Sequence, residues 1–139
     1  MVSLANETAV PIDEARVRRL VERSFSHTGS NLVSVAVSLV TEPTIQKCNR
    51  DHRGKDSPTD VLSYPFDGSF PQGSGGEVLV CPDIAATQAD KKGIPLESEI
   101  DYLIVHGALH LAGYTDDTES GRAEMERYTK EILRKASHG

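Results

Sequence analysis

The chain has 139 residues, of which 37% are hydrophobic and 26% charged; that balance supports one folded, soluble domain over 1–139 and excludes a disordered tract. No apolar run approaches the roughly 20 residues of a membrane span. The net charge of −6 argues against a general nucleic-acid binder, because phosphate neutralisation needs Lys and Arg. The positive residues nevertheless cluster, with Arg16, Arg18, Arg19 and Arg23 on one segment and Lys47, Arg50, Arg53 and Lys55 on another.

The N-terminus carries no basic region and no long apolar stretch, so no signal peptide is expected and the protein is expected in the cytoplasm. The two cysteines, Cys48 and Cys81, lack metal-ligand spacing. In a reducing compartment they should remain thiols.

In chain order, Val2–Ala9 reads as a short strand closed by Pro11. Asp13–Phe25 reads as a helix with Asp13 as N-cap and Val17, Leu20, Val21 and Ser24 or Phe25 as its apolar stripe. Its arginines read as a solvated face, with a phosphate-contacting face as the alternative. Residues 26–31 are Ser/Gly-rich loop. Leu32–Val40 is β-branched and suits an inner strand covered on both faces. Thr41 and Pro43 open a helix expected over Pro43–Asp51.

A polar, basic loop follows and leads into a strand over Thr59–Tyr64, which Pro58 and Pro65 bracket as a sheet edge. Such a loop suits the wall of an anionic-substrate site, but by itself it reads better as a loop that happens to be charged. Residues 67–75 are Gly/Ser/Pro-rich loop. Gly76–Cys81 is a further strand, and a helix from Pro82 to about Lys91 ends at Gly93. Helices over Glu97–Leu111 and Asp117–Ala136 complete the chain, the last with Met125, Tyr128, Ile132 and Ala136 as its buried stripe. The order predicts an α/β (α+β) fold, a mixed four-stranded sheet with helices packed on it.

The chemistry concentrates in His106-Gly107-Ala108-Leu109-His110-Leu111-Ala112-Gly113-Tyr114-Thr115-Asp116. Residues i and i+4 of a helix share a face, with Cβ atoms roughly 5–6 Å apart, so two imidazoles can converge on one ion. Gly113 falls where the helix should stop, and the returning chain brings Asp116. Two nitrogens, one carboxylate and an open position form the pattern of a catalytic rather than a structural zinc site. The plain alternative is a pair of satisfied histidines on a buried helix. In His-Glu-x-x-His metalloproteases the residue after the first His is the glutamate base. Here it is Gly107, which argues against a peptidase.

Asn49-x-x-x-Arg53-x-Lys55-Asp56-x-Pro58-Thr59-Asp60-Val61-Leu62-Ser63-Tyr64-Pro65-Phe66, then Gly76-Glu77-Val78, then His106-Gly-x-Leu-His110-Leu-x-Gly113-Tyr114 together resemble the YbeY family of bacterial metal-dependent endoribonucleases. The resemblance implies a zincin-like domain with its metal site at the end of the HxxxH helix, and single-strand-specific cleavage in ribosomal RNA processing, at the 3′ end of small-subunit RNA and in ribosome quality control. It implies His106 and His110 as metal ligands. The third family ligand is usually histidine, and the aligned residue here is Asp116, with Asp117 as fallback. Zinc fits this set, while Mn2+ or Fe2+ becomes more competitive than with three histidines.

A functionally important family arginine matches Arg53, which makes it the candidate to hold or stabilise a phosphate. Arg50 and Lys55 would add field as substrate-binding residues. The implied partners are ribosomal RNA, the small ribosomal subunit, and ribosomal proteins or a ribosome-associated GTPase, with no membrane. The rival readings are a non-catalytic assembly factor with a structural metal, a metallopeptidase, and an α/β domain without metal.

Overall fold

The computed structural model describes residues 2–28, 34–65 and 75–138, without the side chains of residues 28 and 136–138. Of the expected loop over 67–75, Gly75 instead opens β4, and residues 67–74, the first two residues of the second strand, Phe66 and the Ala136 side chain lie outside the described residues. The elements are β1 (Val2–Asn6), α1 (Glu14–Thr28), β2 (Ser34–Leu39), α2 (Glu42–Arg53), β3 (Val61–Pro65), β4 (Gly75–Val80), α3 (Pro82–Lys92), α4 (Leu96–Leu111) and α5 (Glu119–His138).

The sheet order is β1-β2-β4-β3. β1 and β4 flank β2 in parallel, and β3 runs antiparallel to β4. β3 is therefore an edge, which tolerates Pro65. Strand periodicity places alternate residues on opposite faces. Val35, Val37, Leu39, Val78 and Val80 meet α1 and α4 in the main core. Leu62 and Leu79 point the other way and pack with Ile45 of α2. α5 closes over α1 and α4 through Met125 and Ile132, against Leu20, Val105 and Leu109. The mixed four-stranded sheet with helices packed on it is as expected.

Boundaries differ for local reasons. β1 stops at Asn6 rather than Ala9, because the Asn6 carboxamide oxygen accepts from the Thr8 N–H at 2.8 Å and turns the chain. β2 is inner, but only one face is sealed; Ser34, Ala36 and Ser38 stay half-exposed. Asp13 caps α1 as expected, accepting from the Arg16 N–H at 3.1 Å. The arginine face is not simply solvated: Arg16 pairs with Asp101 at 2.7 Å and Arg18 donates to the Val2 carbonyl.

α5 begins two residues later than expected. Thr118 caps it, its Oγ1 accepting from the Gly121 N–H at 3.0 Å. This leaves Asp116 and Asp117 in the loop before the helix. Both cysteines are free thiols, Cys48 half-buried and Cys81 buried. No helix among the described residues is long and apolar enough to cross a membrane.

Candidate metal centre

α4 buries Leu103, Ile104, Val105, Ala108 and Leu109 around most of its girth. His106 and His110 occupy the remaining strip, where the helix faces an open cleft. Gly107, which also borders the cleft, lets α4 sit directly on β4. A Cβ there would come within 2.7 Å of Val78 Cγ1. The helix ends by hydrogen bonds from the Ala112, Gly113 and Tyr114 amides to the carbonyls of Ala108, His110 and Leu109. Gly113 makes the reversal at φ 111°, a conformation that disfavours any residue with a Cβ.

The reversal has two consequences. It brings the Tyr114 carbonyl to 3.2 Å from His110 Nδ1. A carbonyl only accepts, so Nδ1 carries the proton and the Nε2 lone pair is presented to the cleft. It also returns Asp116, whose Oδ2 lies 3.6 Å from His106 Nε2 and 3.5 Å from His110 Nε2. The two Nε2 atoms are 3.2 Å apart. Arg122 of α5 anchors this loop by donating to the Asp116 carbonyl at 3.1 Å.

These three side chains form a group able to hold a metal ion, all donor atoms lying within 4.8 Å of one another. Tetrahedral bonds of about 2.0–2.2 Å would separate neighbouring donors by about 3.3–3.6 Å, so the group fits a zinc-sized ion with little rearrangement. Their side chains are 22%, 28% and 43% exposed, which leaves the fourth direction open to the cleft. Burial, reinforced by His110, holds the His106 imidazole below its usual pKa, against the opposing pull of Asp116 and Asp60. The neutral ring is the form that binds metal.

The cleft has a volume of about 540 Å³. One wall is α4 and the 113–117 loop, and the other is the approach to β3 with Arg53. Sequence reasoning placed Arg53 in a loop, but α2 continues through Arg53 and stops at Gly54. Arg53 is therefore fixed at a helix C-terminus, where a cation is favoured. Asp117 lines the cleft beside Asp116 but stands outside the three-donor group. Arg50 and Lys55 are not brought to the cleft. Arg50 approaches Asp56 at 3.5 Å and Asp51 at 3.8 Å, and Lys55 is exposed.

Other side chains at the site went without a role in the sequence reading. Tyr102 stacks beside His106 with ring centroids 6.0 Å apart and donates to Glu126 at 2.9 Å. Its i, i+4 spacing to His106 was the available signal. Asp60 lies in the cleft wall. The signal there was an acid at the mouth of a strand entered from a basic stretch.

The sequence pattern of the family described as Endoribonuclease YbeY matches residues 3–137. The chain belongs to the endoribonuclease YbeY family. Among YbeY proteins, one of Symbiobacterium thermophilum is 39% identical over 131 residues, covering 86% of this chain and 84% of that protein. One of Thermobifida fusca is 35% identical, covering 95% and 91%. A solution structure of a Thermotoga maritima protein superposes with a TM-score of 0.66 at 29% identity, covering 97% of this chain and 91% of that one.

Proposed function

We propose that this YbeY chain is a metal-dependent endoribonuclease that cleaves single-stranded ribosomal RNA, in maturation of the small-subunit 3′ end and in ribosome quality control. The observation that carries the reading is the three-donor group of His106, His110 and Asp116 facing a cleft that also contains Arg53. The cytoplasm is its proposed location. The small ribosomal subunit, with ribosomal proteins or a ribosome-associated GTPase, is its proposed partner, since a chain of net charge −6 needs help to hold RNA. Zinc is the proposed ion, with Mn2+ or Fe2+ as competitors for a set that includes a carboxylate.

When bound there, the ion supplies Lewis-acid stabilisation of a phosphate oxygen. His106, His110 and Asp116 would hold it, and the Tyr114 carbonyl keeps His110 in the tautomer suited to ligation. Arg53 forks onto the non-bridging oxygens and stabilises the charge that develops as the phosphorus becomes five-coordinate. The cleft volume falls within the roughly 300–1,000 Å³ of ordinary ligand sites, and an unpaired nucleotide segment is its proposed occupant. Peptidase chemistry has no helix-borne base, because Gly107 is packed on Val78.

The test is incubation of the purified protein with a single-stranded fragment of the small-subunit RNA 3′ end and with the same fragment annealed to its complement. The reading expects cleavage of the single strand that chelator removes, metal restores and His110→Ala lacks. Equal cleavage by that variant would mark contamination and move the reading to an assembly factor whose metal is structural.

A further inference from the structure

The cleft contains more acid than the metal group uses. Apart from Asp116, Asp60 and Asp117 line it. Asp117 adjoins the ligand Asp116 on the same loop and is exposed. Asp60 stands across the cleft, on the wall that leads into β3. Its carbonyl accepts from the Cys81 N–H at 2.9 Å, which ties its backbone to the end of β4. Among the described residues, its carboxylate receives one hydrogen bond, a 3.3 Å contact from Thr59 Oγ1 to Oδ1, and no ion pair joins it to Arg53. It lines the same cleft as His106 and His110.

The Gly107 packing gives this placement its meaning. A metallohydrolase that carries its base on the helix uses the residue after the first histidine. At that position this chain has Gly107, which offers no side chain, and a Cβ there would meet Val78 Cγ1. Arg53 cannot accept a proton near neutral pH, and His106, His110 and Asp116 are committed to the ion. Asp60 and Asp117 remain as acceptors, and of the two Asp60 is the one whose backbone is tied to the sheet, through the Cys81 N–H.

We infer that Asp60 is the general base of the cleavage reaction, a role that rests on the endoribonuclease reading above. The Asp60 carboxylate takes a proton from the attacking water as the water oxygen bonds to phosphorus. The P–O bond to the departing sugar oxygen then breaks, and that oxygen leaves with the bonding electron pair and recovers a proton from solvent. The side chain lies on a fixed backbone rather than a loop tip, as a positioned base requires.

The test compares wild type, Asp60→Asn and Asp60→Ala in the metal-loaded protein, reading single-turnover cleavage, bound metal per chain, melting temperature and affinity for the uncleaved RNA. The Asn variant should lose about 10²–10⁴-fold in cleavage rate, with bound metal and melting temperature unchanged. RNA affinity should be equal or higher, because a negative charge has left the cleft. Added formate should restore part of the activity of the Ala variant. Wild-type cleavage by the Asn variant, loss of metal from it, or failure of formate to raise the Ala rate overturns the assignment. If wild type itself fails to cleave any RNA, the endoribonuclease reading fails first and this role with it.

Discussion

The Nε2 atoms of His106 and His110 stand 3.2 Å apart, close to the separation of two corners of a tetrahedral zinc shell, about 3.3 Å. The pair is set by helix spacing, and one ring is locked by the Tyr114 carbonyl. Binding then needs little reorganisation. At an ion concentration about 100 times Kd, binding to the folded state stabilises by about 2.7 kcal/mol. For a chain of this size that corresponds to roughly 10 °C in melting temperature. Chelation should lower the melting temperature by that order, and His110→Ala should melt at the chelated value with or without added zinc. Calorimetry of both proteins checks this.

Arg53 is placed to act on phosphate and stands outside the metal group. Arg53→Ala should lower cleavage by about 10²–10³-fold, the usual loss of one preorganised charge donor, while bound metal stays at the wild-type level. Metal analysis beside a cleavage assay separates the two roles. Metal loss in this variant would overturn the division of labour.

Gly107 is a packing requirement as much as a chemical departure. Gly107→Ala forces Val78 to move, because its Cβ would sit 2.7 Å from Val78 Cγ1. Overpacking of this kind costs about 1–3 kcal/mol. Gly107→Glu should cost more and should not create peptidase activity. Urea midpoints and a casein assay test the two halves.

Glu7 links the end of β1 to the start of α2, its Oε1 accepting from the Thr41 N–H at 2.8 Å and the Thr41 hydroxyl at 3.2 Å. The Thr41 amide, then the Thr44 hydroxyl, hold its carboxyl below the ordinary glutamate range. A depressed folded pKa contributes stability that is present above the unfolded value and lost as pH falls through the folded one. The contact is exposed, so the contribution is at most about 1 kcal/mol. Glu7→Gln should therefore melt below wild type at neutral pH, and the gap should close once the pH falls below the glutamate range. A gap that widens in acid contradicts the assignment.

The parts legible in the sequence were those written in local periodicity. The apolar stripes of α1 and α5 and the His106–His110 spacing with Gly113 behind it all depend on neighbours a few residues away. Long-range pairing was not legible. Asp101 and Glu99 are acidic residues of α4, yet both are buried. Arg16 meets Asp101 from 85 positions away, and Lys92 closes on Glu99 at 2.8 Å. The sequence places the end of α2 at Asp51, two residues short, because His52 and Arg53 run into the polar, basic stretch through Gly54 and Lys55. Asn49 is in fact buried, with its amide donating to the Ser57 carbonyl at 2.9 Å. That contact keeps the last turn helical and carries Arg53 to the cleft.

The central claim is that His106, His110 and Asp116 bind an ion required for RNA cleavage. The most direct measurement is a zinc titration of chelator-treated protein, reading bound metal and cleavage of the single-stranded ribosomal RNA fragment in the same samples. The account predicts that both rise together and saturate at one ion per chain, and that Asp116→Ala shifts both curves to higher zinc by at least the ~10-fold that even an outer-shell change causes. Full cleavage by protein that holds no metal would contradict it.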